Sequence, residues 1–152
     1  KRLPKRWCPS MEILIQNKTQ RKVEENILVD IAEKVIRAEL GDKNTGVLNI
    51  LLTGDSEIKS INREFRNKDE STDVLSFQYG LEEETIGDIV ISLERISEQA
   101  AEFDNSFEEE LYYILIHGVL HILGYTHEGY DNGGEEMFDL QKDYFTRFVK
   151  EG

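Results

Sequence analysis

The apolar residues of this chain recur with two different periods, and the order in which those periods alternate restricts the fold more than any other feature. Met11 to Asn17 reads as a first strand. Val23 to Leu40 then carries Ile27, Leu28, Ile31, Val35 and Ile36 at helical spacing, with Gly41 as the stop. Gly46 to Thr53 is a short apolar run of β-branched and leucine residues, the pattern of a buried strand. Asp55 or Ser56 is the expected cap of a second helix that runs through Phe65. Val74 to Tyr79 and Gly87 to Ser92 follow as strands, separated by an acidic loop at Leu81 to Thr85. Three helices close the chain: Leu93 to Phe103, Phe107 to Leu123 and Glu135 to Val149. Strands and helices mixed early, then helices alone, specify an α+β fold with a small mixed sheet of about four strands packed against helices. The helix at Phe107 is the best defined, because Ser106 and Glu109 form a capping-box pattern and Gly124 supplies the stop.

The 152 residues contain only two prolines, Pro4 and Pro9, both ahead of the first element, and no repeat or linker, so residues 1–152 are expected to form one domain. Residues 1–10 are a basic N-terminal extension expected to be flexible. A domain of this size buries roughly two thirds of its unfolded surface, so it has no need of a metal or disulfide to hold its core. Any metal would be there for chemistry. The single cysteine, Cys8, has no internal partner, which fits a reducing compartment, most simply the cytoplasm. No apolar run reaches the roughly 18 to 20 residues that cross a bilayer, so no membrane association is expected.

Charge is unevenly placed. Residues 1–23 hold seven basic side chains against one acid, so a net −13 chain has +6 at one end and −19 over the rest. Between Glu82 and Glu110 there are eleven acids and one base, Arg95. Such a chain is a poor non-specific binder of polyanions and suits a substrate presented to it.

The chemistry is concentrated in one stretch. All three histidines fall in eleven residues, His117-Gly-Val-Leu-His121-Ile-Leu-Gly-Tyr-Thr-His127. His117 and His121 are four apart on a helix, so both rings project from one face within reach of one ion. Gly124 lets the chain turn so that His127 can return as a third ligand, which places the metal site on a late helix and the turn after it. Three imidazoles leave one coordination position open for water, the arrangement of a catalytic site; a structural site usually has four protein ligands, and here a carboxylate would have to be the fourth. Zinc is the default for three neutral nitrogens, and nickel, cobalt or iron also fit. The spacing matches the metzincin pattern, but Gly118 stands where a metallopeptidase carries its glutamate base, which weighs against peptide hydrolysis.

A second group lies on the helix before. Lys59, Arg63 and Arg66 fall at i, i+4 and i+7, a basic stripe beside the apolar stripe Ile58, Ile61 and Phe65, with Lys68 just beyond. Arg66, at the helix end, is the candidate phosphate clamp, and Lys59, Arg63 and Lys68 are candidate substrate-binding residues. Thr72, Asp73 and Ser92 fit structural roles as turn and cap residues, with Asp88 as a candidate support for a ligand.

Together these segments resemble the YbeY family of bacterial metal-dependent endoribonucleases. The histidine stretch is similar to the family signature, Asn62-Arg-Glu-Phe-Arg66 through Thr72-Asp73-Val-Leu-Ser-Phe77 to a second hallmark, and Gly87-Asp88-Ile-Val-Ile-Ser92 to a third. The resemblance implies a zinc-type ion on His117, His121 and His127, with Arg66 and a metal-bound water as the catalytic groups. It implies cleavage of single-stranded RNA, maturation of the 16S rRNA 3′ end and a part in ribosome quality control. Implied partners are the small ribosomal subunit, a small-subunit ribosomal protein and an Era-type GTPase. Two positions depart from the family pattern: Thr126 stands where Asp usually precedes the third histidine, and Ser71 where Pro usually precedes the Thr-Asp pair. Thr126 is therefore a candidate influence on the orientation of His127. Two other functions fit the residues less well: a zinc metallohydrolase of peptides or esters, and a non-catalytic ribosome-associated adaptor with a stabilising metal.

Overall fold

In a computed structural model that describes residues 11–43, 46–126 and 133–152, strand β1 (Glu12–Asn17) alternates exposed and half-buried residues along its length. That alternation is the mark of an edge strand covered on one face. It is followed by α1 (Glu25–Leu40), a short 3₁₀ turn (Gly41–Lys43), β2 (Val47–Thr53), α2 (Asp55–Arg66), β3 (Val74–Gln78), β4 (Thr85–Ser92), α3 (Leu93–Glu102), α4 (Phe107–Ile122) and α5 (Gly133–Phe145). The last helix continues into a π-helical turn at Thr146–Lys150. The sheet order is β1-β2-β4-β3; β1-β2 and β2-β4 pair in parallel and β3 pairs antiparallel to β4. The expected mixed sheet of four strands with helices is what forms.

β2 and β4 are the inner strands, and their side chains divide between two apolar layers. Leu48, Ile50 and Leu52 of β2 and Ile89 and Ile91 of β4 face the main core, built with α1, α3, α4 and α5. Val90 of β4 faces the other way and packs with Ile58 of α2 and Leu75 of β3, with Leu51, Ile61 and Phe77 around them. Helices α2 and α4 therefore lie on opposite faces of the sheet, both resting on β3 and β4. Beside α2, that second face stays open as a cleft of about 440 Å³ lined by Leu14, Asn49, Phe65, Tyr79 and Asp88.

Several element ends follow from local chemistry. Ser106 Oγ accepts from Glu109 N at 3.0 Å and Glu109 Oε1 accepts from Ser106 N at 3.3 Å, so the capping box that starts α4 is complete. Ser92 caps α3 by accepting from Arg95 N at 3.2 Å. At α2 the cap differs from expectation. Gly54 is the N-cap residue, and Glu94 of α3 accepts from Asp55 N at 2.7 Å, supplying the missing acceptor from a distant part of the chain. The Asp55 carboxylate instead accepts from Ser92 Oγ at 2.6 Å and from Arg95 at 3.5 Å. β4 also starts earlier than its apolar run, at Thr85, because Ile86 O accepts from Tyr79 N at 2.9 Å and closes the β3-β4 connection.

Candidate functional site

α4 is buried along most of its surface, and its two histidines occupy its half-buried side. Their Nε2 atoms lie 3.1 Å apart, with ring centroids 4.7 Å apart and planes at 83°. Each ring is held from behind. His117 Nδ1 lies 3.0 Å from Oε1 of Gln141 on α5, and His121 Nδ1 lies 2.9 Å from the carbonyl oxygen of Tyr125. Both of those neighbours are oxygen acceptors, which favours the ring proton on each Nδ1 and turns both Nε2 atoms toward one shared space, where a proton or a metal ion between them offsets the repulsion of facing lone pairs. Two nitrogens bound at 2.0 to 2.1 Å to a tetrahedral centre stand about 3.3 Å apart, so this donor pair fits a divalent transition metal.

The expected third ligand, His127, and the basic segment at residues 1–10 lie outside the described residues. Among the described residues no cluster of three metal-ligating side chains forms.

Gly118, beside the first ligand, is where α4 comes closest to the sheet. A β-carbon there would lie 3.0 Å from Ile89 Cγ2 and 3.4 Å from Ser76 Oγ, and Ser76 Oγ donates to Gly118 O at 3.2 Å. A side chain at this position fits only if Ile89 and Ser76 give way by a few tenths of an ångström. Gly124 adopts φ +107°, a conformation that favours glycine, and turns the chain out of α4. The turn is fixed to α1: Tyr125 OH donates to Glu39 Oε1 at 2.7 Å, and Tyr144 OH of α5 donates to Glu39 Oε2. The bond to Glu39, with burial and the carboxylate charge, pushes the Tyr125 phenol up to about 12. Burial first, then the same carboxylate, raises Tyr144 as well.

The basic stripe stands apart from the histidine pair. Lys59, Arg63, Arg66 and Lys68 are exposed on α2 and the turn after it, on the sheet face opposite α4. Arg63 reaches Asp69 at 3.8 Å, whereas the Arg66 side chain makes no hydrogen bond or ion pair with any described residue. The turn after α2 leads directly into β3, the edge strand that α4 also contacts. Among the described residues Asp88 has no histidine partner. It faces the open cleft, where it accepts from Asn49 Nδ2 at 3.0 Å and from Tyr79 OH at 2.7 Å, and that bond pushes the Tyr79 phenol up to about 12. Thr126 is exposed, one residue beyond Tyr125. Gln141 and Glu39 had no mark in the sequence: they reach the site across 24 and 86 residues, and neither sits in a local motif.

No helix among the described residues is long and apolar enough to cross a membrane. The family model described as Endoribonuclease YbeY matches residues 14–149. A protein from Petrotoga mobilis named Endoribonuclease YbeY is 49% identical over 142 residues, covering 93% of this chain and 98% of that one. Another of that name from Fusobacterium nucleatum is 48% identical over 112 residues, 68% of this chain and 69% of its own. The solution structure of TM1509 from Thermotoga maritima superposes with a TM-score of 0.62 at 35% identity, covering 93% of this chain and 90% of that one. From the matched length, these identities and the shared fold, the chain belongs to the YbeY endoribonuclease family.

Proposed function

We propose that this chain is a metal-dependent endoribonuclease that cuts single-stranded RNA during maturation of the 16S rRNA 3′ end and ribosome quality control. Membership of the YbeY family supports the reaction class. The observation that carries the metal dependence is the pair of Nε2 atoms, 3.1 Å apart, with each Nδ1 facing an oxygen acceptor on its other side. His117 and His121 would hold the ion with His127, and zinc suits three imidazoles best, with nickel or another transition metal also compatible. Such an ion, when bound, supplies Lewis acidity: it polarises a phosphoryl oxygen and makes a water molecule a stronger acid.

The chain's own residues orient and neutralise. Gln141 and the Tyr125 carbonyl orient the two rings by presenting an oxygen to each Nδ1. Arg66, exposed at the end of α2, offers a planar fork for the non-bridging oxygens of the scissile phosphate. Lys59, Arg63 and Lys68 extend that charge along the RNA backbone. A net charge of −13 opposes tight binding of free RNA, so delivery by the small ribosomal subunit, through a small-subunit ribosomal protein or an Era-type GTPase, suits the chain. Such an enzyme works in the cytoplasm.

The test is incubation of the purified protein with rRNA carrying an unprocessed 3′ end, beside His117→Ala and Arg66→Ala. The parent is expected to cut and both variants to lose most of the activity. A cyclic phosphate on the product would assign the attack to the ribose 2′-hydroxyl, and its absence would assign it to water. Equal cutting by the parent and both variants would overturn the site.

A further inference from the structure

Gln141 is a buried polar residue on α5, only 1% exposed, in a layer otherwise made of Met137, Tyr144 and the apolar side of α4. A buried carboxamide costs stability unless its donors and acceptor are used. Here Gln141 Nε2 donates to the Tyr113 carbonyl at 3.0 Å, one turn before His117 on α4. That bond fixes which end of the amide is which. Oε1 must then face His117 Nδ1, at 3.0 Å, and it accepts a proton and cannot give one. The amide in the reverse orientation would set an N–H against His117 and leave two carbonyl oxygens facing each other at Tyr113.

We infer that Gln141 is a positioning residue that locks His117 in the Nδ1–H tautomer and so keeps the Nε2 lone pair aimed at the space shared with His121. The lock is a property of the folded chain before any ion arrives. Its consequence for metal affinity rests on the metal-binding reading of the pair, and outer partners of this kind change affinity by about 10- to 100-fold. Gln141→Leu removes the acceptor at similar volume, whereas Gln141→Glu, with its carboxyl protonated on the oxygen that faces the Tyr113 carbonyl, keeps both the acceptor toward His117 and a donor toward Tyr113.

Two readouts on the full-length protein test this. Long-range ¹⁵N–¹H spectra of the metal-free protein report the tautomer of His117, and competition with a chromogenic chelator reports the affinity for Zn²⁺. The wild type and Gln141→Glu are expected to show the Nδ1–H tautomer. Gln141→Leu is expected to show a mixture of tautomers and to bind Zn²⁺ 10- to 100-fold more weakly, with Gln141→Glu within a few-fold of the wild type. Thermal melting of each metal-free variant checks folding, and if Gln141→Leu does not fold, the wild-type and Gln141→Glu tautomers still decide. An Nε2–H tautomer in the wild type, or an unchanged tautomer and affinity in folded Gln141→Leu, would overturn the inference. A wild type with the Nδ1–H tautomer that fails to bind Zn²⁺ would leave the lock standing and overturn the metal reading instead.

Discussion

Gly118 and Ile89 meet so closely that a single added methyl on the helix would press against the strand, 3.0 Å from Ile89 Cγ2. Glycine inside a helix ordinarily costs roughly 0.5 to 1 kcal/mol relative to alanine. Here the order is expected to reverse, because the contact falls on Ile89, which is fully buried on an inner strand. Gly118→Ala should therefore destabilise the fold by about 1 kcal/mol, within the ~1 to 3 kcal/mol typical of overpacking, and Gly118→Glu by more. Urea denaturation of the variants checks this; a stabilised Gly118→Ala would show that α4 and β4 can separate at little cost.

Glu39 links three helical regions through Tyr125 and Tyr144, and the link has a pH signature. The Tyr125 phenol is pushed up to about 12 in the folded state, against about 10 when unfolded. Between those values the folded state holds more protons than the unfolded one, so stability falls as the pH rises. The contribution is complete below pH 10 and is lost on the way to pH 12, with Tyr144 and Tyr79 shifted in the same direction. Denaturation midpoints measured from pH 9 to 11.5 should fall less steeply in Tyr125→Phe than in the parent. Identical slopes would mean that the bond to Glu39 does not persist in solution.

Arg66 is exposed and unengaged by any described residue, so its replacement tests chemistry with little effect on the fold. Arg66→Ala should leave the melting temperature within about a degree or two, consistent with surface changes of ±0.5 kcal/mol. RNA cleavage should drop on the order of a hundredfold, the usual effect of removing one donor to a developing negative charge. A large fall in melting temperature would reassign Arg66 to a structural role.

The local rules carried most of the element boundaries. Ser106 with Glu109 marked the start of α4, Gly124 its end and Ser92 the start of α3, and each does so through bonds within a few residues. The cap of α2 was hidden because its acceptor, Glu94, arrives from α3. The same division holds at the site. The spacing of His117 and His121 follows from helix geometry alone, whereas Gln141 and Glu39 act through the packing of α5 and α1 on α4, which no local pattern encodes. Strand alternation puts Asp88 and Ile89 on opposite faces, and it is Ile89 that meets α4 while Asp88 faces the open cleft. Gly118 stood out in the sequence only as a missing base, and its packing role became visible once β4 was placed beneath it.

Elemental analysis of the freshly purified protein beside His121→Ala tests the metal centre most directly. Both side chains converge on one space, so about one transition-metal ion per chain is expected in the parent and a large loss in the variant. A parent that stays metal-free after incubation with zinc or nickel, or a variant that retains a full equivalent, would contradict the account.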